Sequence, residues 1–438
     1  MRVGSFSKLS VSAPRGRERQ SARDMSGRTF VGMLCVMLAL ASCGGSDGGN
    51  TDTGSVLADP GSAPWSPVPP AQVAKQCGLD PALLAVADTT LNLPYAVIRY
   101  GQLCHEFYPG GSDSVAEVYS ATKTMGALVT GIAAYQTRNL ARGGRKTGPL
   151  SDEDRVDHWL DSFSFNPDAR VAHVLAMEAH NADLSFGHKQ YQYDLIGQVQ
   201  INRLSDVINT ALQQDPGRLG NNLEEFTQRF LYQPLGMRDS TWTDGAPEKV
   251  FAYSWNTTVR DMARVGLLIL HDGLWSGERI LDAAWTYKMT HPSFEDANTG
   301  YGYLTWLNSD SNYTFGGRPP GSKLQQPIDA CAPVALYPHY PHGDLSESPD
   351  CNYEPPYTCT QPFDAGVWYF AGLGGQYIVG HRGLDLILVI KNFGDNAGPG
   401  QLWSAIRPAL VALDPTFRGD EAAFCARYSR GDYAPFLH

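Results

Sequence analysis

Two periods of hydrophobic spacing alternate along the chain. In Tyr95-Ala-Val-Ile-Arg-Tyr-Gly-Gln-Leu-Cys-His-Glu-Phe-Tyr108 two alternating or β-branched runs flank a glycine, which predicts a hairpin. From 120 to 136 the spacing becomes helical: Met125, Leu128, Val129, Ile132 and Ala133 recur among small residues with little charge, so this helix should be buried nearly all round. Further helices are expected over 202–214, 223–232 and 259–270, the last behind Thr257 or Thr258 as cap. Strand character returns at 366–370, 376–379 and 384–393, with glycine-rich turns between, and a helix over 402–413 follows. Strands at both ends and helices between them predict an α+β fold, with one antiparallel sheet built from the two chain ends and flanked by helices. Residues 308–365 break the pattern with Pro, Ser, Asn, Tyr and three cysteines, and read as a disulfide-pinned insertion near the site.

The start of the chain reads as an address. Arg28 precedes a short apolar run, Phe30 to Leu40, which meets Leu40-Ala-Ser-Cys43 and a Gly/Ser/Asp-rich stretch. The run is too short to span a bilayer comfortably. It resembles a bacterial lipoprotein signal, which implies cleavage before Cys43, lipidation of that thiol, and an exported protein anchored in the cell envelope. Met25 is then an alternative start. The expected organisation is a leader over 1–42, a flexible tether over 43–75, a folded domain over 76–420 and a tail over 421–438. A formal net charge of -11 disfavours nucleic acid as a partner, because an acidic surface is repelled by phosphate at contact range. Of eight cysteines, Cys35 lies in the leader and Cys43 would carry lipid. Cys77, Cys104, Cys331, Cys351, Cys359 and Cys425 remain for disulfides in an oxidising compartment, with the pairing open.

The chemistry centres on Val118-Tyr-Ser-Ala-Thr-Lys123. A serine hydroxyl is a poor nucleophile at neutral pH and needs a base within hydrogen-bond reach; residues three apart share a helix face. Ser120 and Lys123 satisfy that spacing, and the apolar helix after them supplies the low-dielectric surroundings that disfavour a charged amine. The same pattern at Ser5-Phe-Ser-Lys8 lies in the leader, and Gly44-Gly-Ser-Asp-Gly48 has no strand before it or helix after it; neither is taken as a site. His180, Asp183 and His188 lack metal-ligand spacing, so neither metal nor cofactor is expected.

With Ser120-Ala-Thr-Lys123, four further stretches carry a resemblance: Val171-Ala-His-Val-Leu-Ala-Met177, Pro234-Leu-Gly-Met-Arg-Asp-Ser-Thr241, Thr258-Val-Arg-Asp-Met-Ala-Arg-Val-Gly266 and Tyr301-Gly-Tyr-Leu-Thr-Trp306. Gly372-Leu-Gly-Gly-Gln376 completes the set. In this order the chain resembles the serine β-lactamase and penicillin-binding-protein superfamily, in particular its class C branch. The resemblance implies an all-α lobe facing the sheet with the site between them, and an acyl-enzyme on Ser120. The family's Tyr-x-Asn does not occur in this chain; Tyr193 stands nearest its place as acid/base partner, with Tyr191 in reserve, and Gln198 or Asn202 as substitutes for the asparagine. Where the family carries Lys-Thr-Gly or His-x-Gly this chain has Leu373, Gly374 and Gly375, so Gln376 would offer its N–H, with that of Ser120, to the oxyanion. Loss of the cation there favours a small-molecule ester or amide over a β-lactam. The rival reading is a non-catalytic envelope-binding protein that keeps the scaffold.

Overall fold

The computed structural model describes residues 58–161, 165–179, 181, 183–185, 193, 200–242, 250–293, 300–309, 351–352, 358–359, 363–394 and 398–410. The leader, Cys43, the tail and most of the expected insertion lie outside the described residues, as do Cys331 and Cys425.

Helix α1 (Pro70–Cys77) and helix α2 (Pro81–Leu91) both open on proline, whose missing N–H has no helical partner to lose at that position. Asp80 caps α2, its carboxylate accepting from the N–H of Ala82 at 2.8 Å. The predicted hairpin follows as β1 (Tyr95–Arg99) and β2 (Gln102–Phe107), turning through Tyr100 and Gly101, both at positive φ. A two-residue strand β3 (Ala116–Glu117) leads to α3 (Thr122–Thr137), the long buried helix expected from the apolar spacing. Then come α4 (Arg203–Leu212), β4 (Trp255–Thr257) and α5 (Val259–Leu270), which is capped by Thr258 through its side chain to the N–H of Asp261. The chain continues through α6 (Ala283–Thr290), β5 (Trp306–Ser309), β6 (Phe363–Gly372), β7 (Gln376–His381), β8 (Leu386–Ile390) and α7 (Pro399–Ile406).

Six strands form one antiparallel sheet in the order β2-β1-β8-β7-β6-β5. The first strand of the domain lies beside the last, with Tyr95 opposite Ile390 and Arg99 opposite Leu386, so the sheet is closed by the two ends of the chain as the pattern implied. Both faces are buried, and successive residues alternate between them. Ala96, Ile98, Phe370, Ile378, Ile387 and Val389 enter a core shared with α3, α4 and α5. Tyr95, Val97, Tyr369, Val379, Leu386 and Leu388 enter a second core under α1, α2 and α7.

Two expectations change, and one open pairing is settled. The tether expected over 43–75 is folded from residue 58 onward: Trp65 is 6% exposed within the core, and the Arg264 guanidinium donates to the carbonyls of Gly61 and Ala63 and lies over the indole. This anchoring is contributed by residues some two hundred positions away and leaves no local signal. The last helix begins at Pro399 and gives way after Ile406 to a 3-10 turn over Arg407–Ala409, where Pro408 brings no N–H to continue the α-helical ladder. Of the open cysteine pairing, the structure resolves Cys77–Cys104, which ties the end of α1 to β2.

Candidate active site

The segment carrying Ser120 is pinned before it turns. β3 pairs with β4, Glu117 opposite Asn256, and the N–H of Val118 donates to the Trp255 carbonyl at 2.9 Å. Tyr119 then adopts a left-handed conformation at φ 47°, unusual for a bulky residue, and a 3-10 turn over Tyr119–Ala121 delivers the chain to α3. Ser120 therefore stands just outside the helix, at its positive end, rather than within it. Lys123 occupies the first turn, and the two side chains meet as their spacing predicted.

The Lys123 amine donates to Ser120 Oγ at 2.7 Å and to the Ala252 carbonyl at 3.0 Å. The residue is 1% exposed, and burial lowers its pKa from 10.5 to about 7. At neutral pH a sizeable fraction of such an amine is uncharged and can accept a proton, which an exposed lysine cannot offer.

The Ala252 carbonyl is itself held in place. Asn202 Oδ1 accepts from the N–H of Phe251 at 2.9 Å and of Ala252 at 3.3 Å. The N–H groups of Ser254 and Trp255 donate to Glu117 and Thr122, respectively. Gly126 explains how the segment approaches so closely: a Cβ there would lie 2.5 Å from the Phe251 ring, which also stacks on Trp242. Asn202, expected as a substitute for a substrate-holding amide, has its oxygen engaged in this backbone support instead.

Tyr193 joins the pair. Its ring centroid is 5.0 Å from the Lys123 amine, and its phenol shares a hydrogen bond with Ser120. Burial pushes the phenol up to about 12, and the bond to Ser120 works in the opposite direction. Trp306 at 5.0 Å and Tyr301 at 6.4 Å between centroids wall the ring on one side. Tyr191 and Gln198 lie outside the described residues.

The glycine-rich stretch is placed differently from expectation. Gly374 and Gly375 have φ of 77° and 78°, and the N–H of Gly375 donates to the Gly372 carbonyl, so Leu373, Gly374 and Gly375 form the turn between β6 and β7. Gln376 opens β7 directly opposite Gly372, and its side chain is tied to Asn392. The close approach is made by Gly372 at the end of β6, where a Cβ would fall 2.0 Å from the Val118 carbonyl oxygen. In the sequence Gly372 is one glycine among several, and Ala252 acts through a backbone atom with no side-chain signature.

No protein-family model matches the sequence, and no curated protein matches it. Among solved structures the chain is similar to a penicillin-binding protein homologue from Caulobacter crescentus, at 12% identity and a TM-score of 0.48 over 78% of this chain and 96% of that one. It is similar to a β-lactamase/D-alanine carboxypeptidase from Pseudomonas syringae, at 12% identity and a TM-score of 0.46 over 77% and 98%. A β-lactamase from Mycobacterium bovis has 15% identity and a TM-score of 0.44 over 79% and 99%.

Proposed function

We propose that the protein is a serine hydrolase that cleaves an ester or amide through an acyl-enzyme on Ser120. The observation that carries this reading is the 2.7 Å contact between the hydroxyl and an amine that burial has brought to a pKa of about 7. Ser120 Oγ attacks the substrate carbonyl carbon while its proton passes to neutral Lys123. The N–H of Ser120, at the head of α3, and a backbone N–H at the end of β6 stabilise the oxyanion. As the carbonyl reforms, the leaving oxygen or nitrogen takes a proton from the Lys123 and Tyr193 pair. Water then repeats the sequence in reverse order and frees the serine. The apolar β6–β7 turn, with Leu373 in place of a cation, supports ester over β-lactam as substrate.

The leader supports export with a lipid on Cys43, and the Cys77–Cys104 disulfide is in keeping with an oxidising compartment. A fluorophosphonate probe tests the enzymatic reading: it should label the peptide containing Ser120 in wild type and leave Ser120→Ala unlabelled. Wild type that resists labelling would support the binding-protein alternative.

A further inference from the structure

Large apolar side chains that face solvent are scarce among the described residues, and three of them stand around the nucleophile: Tyr119 is 40% exposed, Tyr253 50% and Leu373 64%. Isolated exposed hydrophobics are ordinary, but their clustering at one functional point is not. Each is the immediate neighbour of a backbone group that builds the site. Tyr119 precedes Ser120, Tyr253 follows the carbonyl that binds Lys123, and Leu373 follows the glycine packed against Val118.

Their outward placement is set by the backbone. Tyr119 is left-handed at φ 47°, Tyr253 is followed by Ser254 at φ 85°, and Leu373 is followed by two glycines at positive φ. Behind them, Trp306 and Tyr301 continue an uncharged wall beside Tyr193. The three rim side chains carry no charge, and the scissile bond would lie among them. We infer that the site takes uncharged esters with a large apolar arm, a medium-length alkyl chain or an aromatic ring, in preference to small or anionic ones. The inference rests on the serine-hydrolase reading and specifies its substrate class: transfer of the arm from water to this rim supplies binding that a small ester cannot obtain.

The test compares kcat/KM across p-nitrophenyl esters from acetate to hexanoate, and across alkyl acetates from methyl to hexyl, for wild type and for Tyr253→Ser/Leu373→Ser. Wild type should favour the longest member of at least one series by about tenfold or more, and the double variant should reduce that preference to about threefold or less. The series that responds identifies the acyl or the alcohol side as the apolar arm. Flat profiles in both series, or a preference the double variant leaves intact, would overturn the inference while Ser120 labelling still upheld the hydrolase. Absence of labelling and of turnover on every ester would instead remove the underlying reading. Unchanged circular dichroism melting of the double variant establishes that its fold is kept.

Discussion

Two buried cations, one on each face of the central sheet, play opposite parts. On the face under α1 and α2, the Arg99 guanidinium, 1% exposed, donates to the carbonyls of Leu384, Cys77 and Gly78, and the disulfide at Cys77 closes the same corner. Arginine stays charged at any working pH, so its hydrogen bonds fix structure and nothing titrates. On the face under α3, a lysine is buried to the same degree, but one of its hydrogen bonds goes to a serine. Buried lysine tolerates loss of its proton where arginine does not. Arg99 therefore holds the fold together, and Lys123 carries a cost in stability that leaves its amine able to lose a proton near neutral pH.

The largest expected effects break the site face alone. Ser120→Ala should lower kcat/KM on an ester substrate by about 10⁴-fold or more, with an unchanged melting curve. Lys123→Met should lower it by about 10³-fold and also stabilise the protein. The amine titrates near 10.5 when unfolded and about 7 when folded, so between those values the unfolded chain holds more protons and wild-type stability rises with pH. Below pH 7 the cost of the buried charge is fully present. The advantage of the methionine variant should thus be greatest below pH 7 and shrink towards pH 10.5 in chemical denaturation.

The opposite face gives the converse result. Reduction of Cys77–Cys104, or Cys77→Ala/Cys104→Ala, opens a loop with 27 residues of sequence separation and should cost about 3–4 kcal/mol of stability on loop entropy. At a temperature where the fold survives, kcat/KM should not change. The smallest effect sharpens the boundary between structure and chemistry: Asn202→Ala frees the backbone that presents the Ala252 carbonyl to Lys123. Loss of this positioning should reduce kcat by about tenfold and displace the acidic limb of the pH profile, a shift that mere loosening of the core would not produce.

Spacing made much of this legible. Alternation located β1, β2 and the last three strands, helical spacing located α3, and a separation of three placed Ser120 and Lys123 together. Tyr193, singled out by its position along the chain in spite of a missing motif, lies beside Lys123. What escaped depends on contacts between distant segments: the burial of Trp65 beneath Arg264, the engagement of Asn202 with 251–252, and the choice of Gly372 over its neighbouring glycines as the point of close approach. Backbone atoms do that work, and residue types barely report on it.

The claim at the centre is that the Lys123 amine, uncharged above a pKa of about 7, takes the proton from Ser120. The second-order rate of Ser120 phosphonylation, followed by intact mass from pH 5 to 9, measures it directly. The rate should rise by about tenfold per pH unit below an inflection near 7 and level off above it, and Lys123→Met should abolish that inflection. A profile without an inflection near 7, or one that persists in the methionine variant, would show that another group activates the serine.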